Sequence, residues 1–242
     1  MEKIKKLMIL GTTILLMYSC QIENKQKTTE IVRKITTHNN QMLQKLGKEI
    51  YEKDLETVLK KHESLGITYS QKPKISIMDE FSLACATYDK TKKTIKMNTK
   101  LITQDSLDTK FIQRLISHEL GHLYTDLHKE KLNAKNWGTY NLSKPWAIAE
   151  EEHGMKMVSE GISTYFEYLT HKTPNEETIT ETLYKSPKKY TIKDFYDIGF
   201  LLVKPILDKD FKKGIEKLIT NYPNKTEIYN LSKYQTKVLS EL

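Results

Sequence analysis

Two histidines and a glutamate in the middle of the chain carry its strongest chemical signal. In the segment LISHELGHLYTDLH, His118 and His122 lie four residues apart, and Glu119 directly follows the first histidine. On an α-helix, residues four apart project within about 40° of each other, so both imidazoles can bind one metal ion. Glu119 projects about 100° from His118, close enough to hold a metal-bound water without being a ligand. This spacing is typical of catalytic zinc sites in which the glutamate is the general base.

A catalytic zinc site needs a third protein ligand, and the sequence offers two candidates. His128 occupies the third-ligand position of the metzincin pattern HExxHxxGxxH, but Thr125 stands where that pattern has glycine. If the helix continues through Thr125, His128 points about 240° away from His122. The other candidate is Glu160, in VSEGISTYFEYL, on the polar face of a second predicted helix.

The pair of segments HELGH and EGISTYFE resembles the HExxH and EGx[AS]xY motifs of gluzincin-type bacterial zinc metallopeptidases. A later segment, YDIGFLLVKPILDKDFKKGIEKLI, is similar to the closing helices of such domains. The resemblance covers roughly residues 74–222. It implies a zincin-like fold in which His118, His122 and Glu160 bind Zn²⁺. It also implies that Glu119 activates a zinc-bound water to hydrolyse a peptide bond.

The resemblance also bears on the residue that stabilises the oxyanion of amide hydrolysis. It favours Tyr196 over the other two candidates, Tyr165 and His153. The sequence departs from the thermolysin-like pattern at one position. There, an aspartate four residues after the ligand glutamate orients a histidine, whereas this chain has Thr164.

Two predicted helices must position the candidate site. The first covers about residues 108–132, with Asp108 or Thr109 as its N-cap. The second runs through AIAEEEHGMKMVSEGISTYFEYLT, with an interruption at Gly154 as an alternative. Gly121 lowers helix propensity by about 1 kcal/mol relative to alanine, which predicts that another backbone passes close to it. Small residues of the second helix are expected to let the first helix come near: Gly161, Ser163 and Thr164.

The remaining elements indicate an α+β fold with a small antiparallel or mixed sheet followed by a mostly helical half. KISIMD alternates like a strand, and ACATYD and TIKMN flank KTKK as a hairpin. If TIKMN forms the sheet edge beside the metal-binding helix, a substrate peptide could add to it as a strand. Helical periodicity before the sheet ends near Gly66. Three further helices are predicted near residues 192–207, 211–221 and 227–239, and Pro205 should kink or end the first of them.

The N-terminus resembles a bacterial lipoprotein signal, which predicts four segments. Residues 1–19 form a signal peptide, because a basic stretch precedes an apolar run too short to span a bilayer. Cys20 carries the lipid, and residues 20–29 form a tether. Residues 30–72 form an N-terminal helical segment, and residues 73–242 form the catalytic domain. The signal places the protein in the bacterial cell envelope, held at the membrane by lipidated Cys20.

The composition of the chain limits the classes of binding partner that we expect. The net charge is +8, but no basic block is interleaved with aromatic residues, so nucleic-acid binding is not expected. Only one cysteine, Cys85, remains if Cys20 is lipidated, so no intramolecular disulfide is expected. The expected partner is a peptide or protein substrate. A non-catalytic zinc-binding surface lipoprotein is the alternative, although Glu119 has no evident purpose in it.

Overall fold

The structure is a computed structural model that describes residues 47–78, 84–98, 108–134, 137–138, 150–172 and 192–242. The signal peptide, Cys20 and the tether lie outside the described residues. So do residues 30–46 of the predicted N-terminal helical segment. Among the described helices, none is long and apolar enough to cross a membrane.

The described chain is mostly helical and contains one small sheet. Helix α1 covers residues 47–64, and strands β1, β2 and β3 follow it. Two long helices, α2 and α3, carry the candidate site, and three shorter helices close the chain. The bounds are Lys74–Ile77 for β1, Ala86–Asp89 for β2, Thr94–Met97 for β3, Thr109–Lys131 for α2, Glu150–His171 for α3, Ile192–Lys209 for α4, Phe211–Thr220 for α5 and Leu231–Ser240 for α6.

The sheet has mixed topology, with strand order β1-β3-β2. β2 and β3 form the predicted antiparallel hairpin, and β1 pairs in parallel with β3. The segment TIKMN therefore lies in the middle of the described sheet, so the condition for adding a substrate strand to it is not met. β3 is central because Ile95 and Met97 are fully buried, a position that favours pairing on both sides.

Helix α2 lies between two hydrophobic cores. Asp108 caps its N-terminus by accepting a hydrogen bond from the Lys110 amide at 3.1 Å. One face packs against α1 and the sheet through a stripe with helical spacing: Ile112, Ile116, Leu120, Leu123 and Leu127. The other core joins α3, α4, α5 and α6. The remaining face of α2 meets α3, and the metal candidates lie on that face.

Neither Gly154 nor Pro205 ends its helix. Helix α3 continues through Gly154, where a Cβ atom would lie 1.8 Å from the Pro223 carbonyl oxygen. The glycine therefore provides space for a neighbouring backbone. Helix α4 continues past Pro205 to Lys209. Proline removes the amide that would bond to the Leu201 carbonyl, and the Gln235 side chain donates to that carbonyl instead, at 2.8 Å.

Candidate metal centre

Helices α2 and α3 bring His118, His122 and Glu160 together. The Oε2 atom of Glu160 lies 3.3 Å from His118 Nε2 and 3.5 Å from His122 Nε2. The close approach depends on Gly121, because a Cβ atom there would lie 2.6 Å from the Ser163 Cα atom. The predicted close backbone is therefore that of α3. Gly161 faces Gly199 of α4 instead, so the expectation that it admits α2 is wrong.

Both histidines are oriented by hydrogen bonds on the side remote from Glu160. The Nδ1 atom of His118 is 2.8 Å from Glu167 Oε1, and the Nδ1 atom of His122 is 3.2 Å from Ser159 Oγ. The other oxygen of Glu167 is 3.3 Å from an Arg114 guanidinium nitrogen. A carboxylate can only accept, so Nδ1 of His118 carries a proton. Both Nε2 atoms therefore point to the same place, next to Glu160.

Two of the three distances between these atoms fit a tetrahedral metal ion. The group offers one ligand atom per residue, and all three lie within 4.8 Å of one another. Zinc–nitrogen and zinc–oxygen bonds of about 2.0–2.1 Å imply ligand atoms about 3.3 Å apart, close to the two distances that the structure shows. Glu160 Oε2 is also buried and accepts no hydrogen bond within the described residues. A buried carboxylate oxygen without a hydrogen-bond donor is stabilised by a positive charge beside it.

The electrostatics of the group favour positive charge. Burial by itself lowers the pKa of His118, but the adjacent carboxylates of Glu160 and Glu167 outweigh burial and raise it. Burial would raise the pKa of Glu160, but the two histidines lower it well below its ordinary value. Burial raises the pKa of Glu119. Three buried or half-buried carboxylates thus surround the imidazoles, and a divalent cation would offset their charge.

The group lines a cleft with a volume of about 430 Å³. Glu119 and Tyr196 line the cleft beside the metal candidates, and the Tyr196 ring centroid lies 5.5 Å from that of His118. Strand β2 forms one wall through residues such as Ala86 and Thr87. The metal candidates and strand β2 therefore face the same cleft.

The other candidates lie elsewhere. Helix α2 continues through Thr125, and His128 stacks on Tyr124 with its Nδ1 atom 2.9 Å from the Tyr124 carbonyl oxygen. Tyr165 is buried and donates to Asp208. His153 packs near Phe195 and is not among the described residues that line the cleft. The Thr164 hydroxyl donates to the Glu160 carbonyl within α3 and does not contact a histidine in any described hydrogen bond.

Sequence reasoning missed two residues of the site, Glu167 and Ser159. It looked for the histidine-orienting carboxylate one helical turn after Glu160, at position 164. Glu167 follows Glu160 by seven residues, which is two turns, and projects onto nearly the same helix face. The helical repeat could have indicated Glu167 from the sequence, because the EGISTYFE segment contains both glutamates.

Comparisons of the chain with protein-family models, with curated proteins and with solved structures found no match.

Proposed function

We propose that the protein is a zinc-dependent metallopeptidase of the gluzincin type. The observation that carries this proposal is the position of one buried carboxylate oxygen, Glu160 Oε2, within 3.5 Å of both imidazole Nε2 atoms. Glu119 lies beside them in an open cleft. Two imidazole nitrogens and a carboxylate oxygen form a donor set that suits zinc, and three protein ligands leave a fourth position open.

Different residues of the cleft have different roles in the proposed hydrolysis. A zinc ion held by His118, His122 and Glu160 would act as a Lewis acid, polarising the scissile carbonyl and making water more acidic. Glu119 accepts the proton of the attacking water and delivers it to the leaving amine. Tyr196 is the oxyanion donor in this proposal, because it alone among the three sequence candidates lines the cleft. Glu167 fixes the tautomer of His118, and Ser159 helps to orient the ring of His122.

Substrate would bind along strand β2. This strand lies at the end of the described sheet, and it forms a wall of the cleft. An extended peptide can pair with the outer backbone groups of such a strand, which leaves its side chains to alternate between the cleft and solvent. We further propose that lipidated Cys20 holds this domain at the cell envelope.

The test is the variant Glu119→Gln, which keeps the size of the side chain and removes its basicity. Zinc content measured by mass spectrometry should match the wild type, whereas cleavage of a peptide library should fall by at least about 100-fold. Glu130→Gln is the matched control, because Glu130 lies on the same helix with a side chain that is 60% exposed. A wild-type protein that holds one zinc ion and cleaves no peptide would contradict the proposal and support a binding protein.

The same preparation tests the third ligand. Glu160→Ala should weaken zinc affinity strongly in competition with a chelator, and His128→Ala should leave it unchanged. The reverse result would favour the metzincin arrangement.

A further inference from the structure

The end of the cleft remote from the metal group carries two lysines. Lys129 and Lys90 line this end together with the turn at residues 137–138. Lys129 follows His122 by seven residues, so it projects within about 20° of that histidine on α2. The rise between them is about 10 Å along the helix axis. The lysine therefore lies on the same face as the metal candidates, two turns further along.

Both ammonium groups contact the turn at residues 137–138, Lys129 from a partly buried side chain and Lys90 from an exposed one. Lys129 Nζ lies 2.8 Å from Asp126 Oδ1 and 3.4 Å from the Trp137 carbonyl oxygen. Lys90 Nζ donates to the Gly138 carbonyl oxygen at 3.0 Å. An ammonium group has three donors, so each lysine keeps at least one for a ligand among the described contacts. Fixed donors lose little conformational entropy when they bind.

The carboxylate beside these lysines does not cancel their charge. Asp126 also forms an ion pair with Lys93 and accepts a hydrogen bond from the Tyr88 hydroxyl at 2.9 Å. Lys93 also pairs with Glu130 at 3.0 Å. Three ammonium groups and two carboxylates therefore leave one net positive charge here once Lys90 is counted. The opposite end of the cleft is lined by Glu119 and Glu160. The charge of the residues that line the cleft therefore changes along it, from carboxylates beside the metal candidates to a net positive charge beside the lysines.

We propose that Lys129 and Lys90 form a subsite for a carboxylate of the substrate, a deepening that rests on the proposed peptidase function. An extended peptide advances about 3.3 Å per residue, so 10 Å corresponds to about three residues from the scissile bond. The ligand is an acidic side chain at that position or the carboxylate at the end of the peptide. Charge-assisted hydrogen bonds from two ammonium groups supply the selectivity.

The test measures binding and does not need turnover. The zinc-loaded, full-length protein is titrated with short peptide hydroxamates, whose hydroxamate group binds the metal. One series of probes extends the peptide on the N-terminal side of the hydroxamate, and a second series extends it on the C-terminal side. Each series carries Glu or Gln at the second, third or fourth residue from the hydroxamate. We expect Glu at the third residue to bind about tenfold more tightly than Gln. Probes with Gln throughout and a free or amidated C-terminus distinguish the chain end from a side chain.

Variants assign the preference to the lysines. Lys129→Gln and Lys90→Gln should each reduce it, and Lys131→Gln, with the same change of charge on the same helix, should preserve it. If Lys129→Gln lowers the melting temperature, the Lys90→Gln variant by itself decides whether the lysines cause the preference. Equal binding of acid and amide probes by the wild type, or a preference unchanged in both variants, would overturn the inference. Zinc content and cleavage are measured separately, so a protein that binds zinc without cleaving peptides still reports on the subsite.

Discussion

His118 is the residue whose surroundings define the candidate site. Its Nε2 atom faces Glu160 and its Nδ1 atom faces Glu167, so each side of the ring meets a carboxylate. Its ring also lies against those of His122 and Tyr196. A histidine that is hydrogen-bonded in this way has one tautomer and one orientation, and the entropy of orienting it is lost on folding. Metal binding then requires little further ordering.

The first prediction concerns Glu167. Glu167→Gln can still accept a hydrogen bond from His118, but it loses the negative charge that makes the imidazole a better ligand. We expect zinc affinity to fall about 10-fold to 100-fold, measured by competition with a chelator. Glu63→Gln, on the exposed surface of α1, is the control and should change nothing. An affinity that Glu167→Gln leaves intact would mean that helix packing alone orients His118.

Three helices meet at a buried polar network around His62. This side chain of α1 is fully buried, with Nε2 3.0 Å from both Ser117 Oγ on α2 and Thr170 Oγ1 on α3. The Ser117 hydroxyl donates to the Phe166 carbonyl at 2.7 Å, and its oxygen lies 2.7 Å from Thr170 Oγ1, where Thr170 can donate to it. Both hydroxyl oxygens can then accept a hydrogen bond from His62 Nε2. Nδ1 then accepts from the Tyr69 hydroxyl at 2.7 Å. The network is complete with a neutral imidazole.

The second prediction is a pH dependence of stability that His62 causes. Burial lowers the pKa of His62 from 6.5 to about 4, so the unfolded chain binds a proton that the folded chain does not between these values. The free energy of unfolding should therefore be unaffected above pH 6.5 and fall as pH decreases toward 4, by about 3 kcal/mol for this group. Urea unfolding of zinc-free protein across this range measures it.

His62→Gln is the matching variant because an amide can also donate and accept but does not titrate. Its stability curve should be flatter than that of the wild type between pH 6.5 and 4. His171→Gln, at the half-exposed end of α3, should keep most of the wild-type slope. Parallel curves for the wild type and His62→Gln would contradict the assignment.

At the scale of the molecule, α2 is shared between two cores. One core contains the sheet and α1, and the other contains the C-terminal helices. The cleft lies where the β2 wall, α2 and α3 meet, so its two sides belong to elements packed in different cores. The cleft therefore arises from the joining of the two cores.

The third prediction concerns attachment to the membrane. Cys20 should carry the lipid, because it ends the short apolar run of the signal. A protein expressed in bacteria should partition into detergent after phase separation, and Cys20→Ser should move it to the aqueous phase. Cys85→Ser is the control, since the chain contains only these two cysteines. A mature protein whose mass lacks the lipid would contradict the prediction.

Much of the fold could be predicted because its signals are local. The α+β class and the mixed sheet are confirmed. The Asp108 cap, the periodic stripe of α2 and the β2–β3 hairpin all arise from residues close in sequence. The order of the strands was not predictable in the same way, because the parallel pairing of β1 with β3 closes a loop that contains β2. That choice depends on which strand α2 buries most deeply.

By itself the sequence determined which residues share a helix face. The spacing of His118 and His122 follows from the helical repeat, and so does the exclusion of His128 from their side of α2. Only the tertiary structure decided that α3 lies against that face at Gly121, which places Glu160 between the imidazoles and Glu167 behind one of them. The physical reason is range: a helical period fixes directions within one element, whereas the distance between two elements depends on how all their side chains pack.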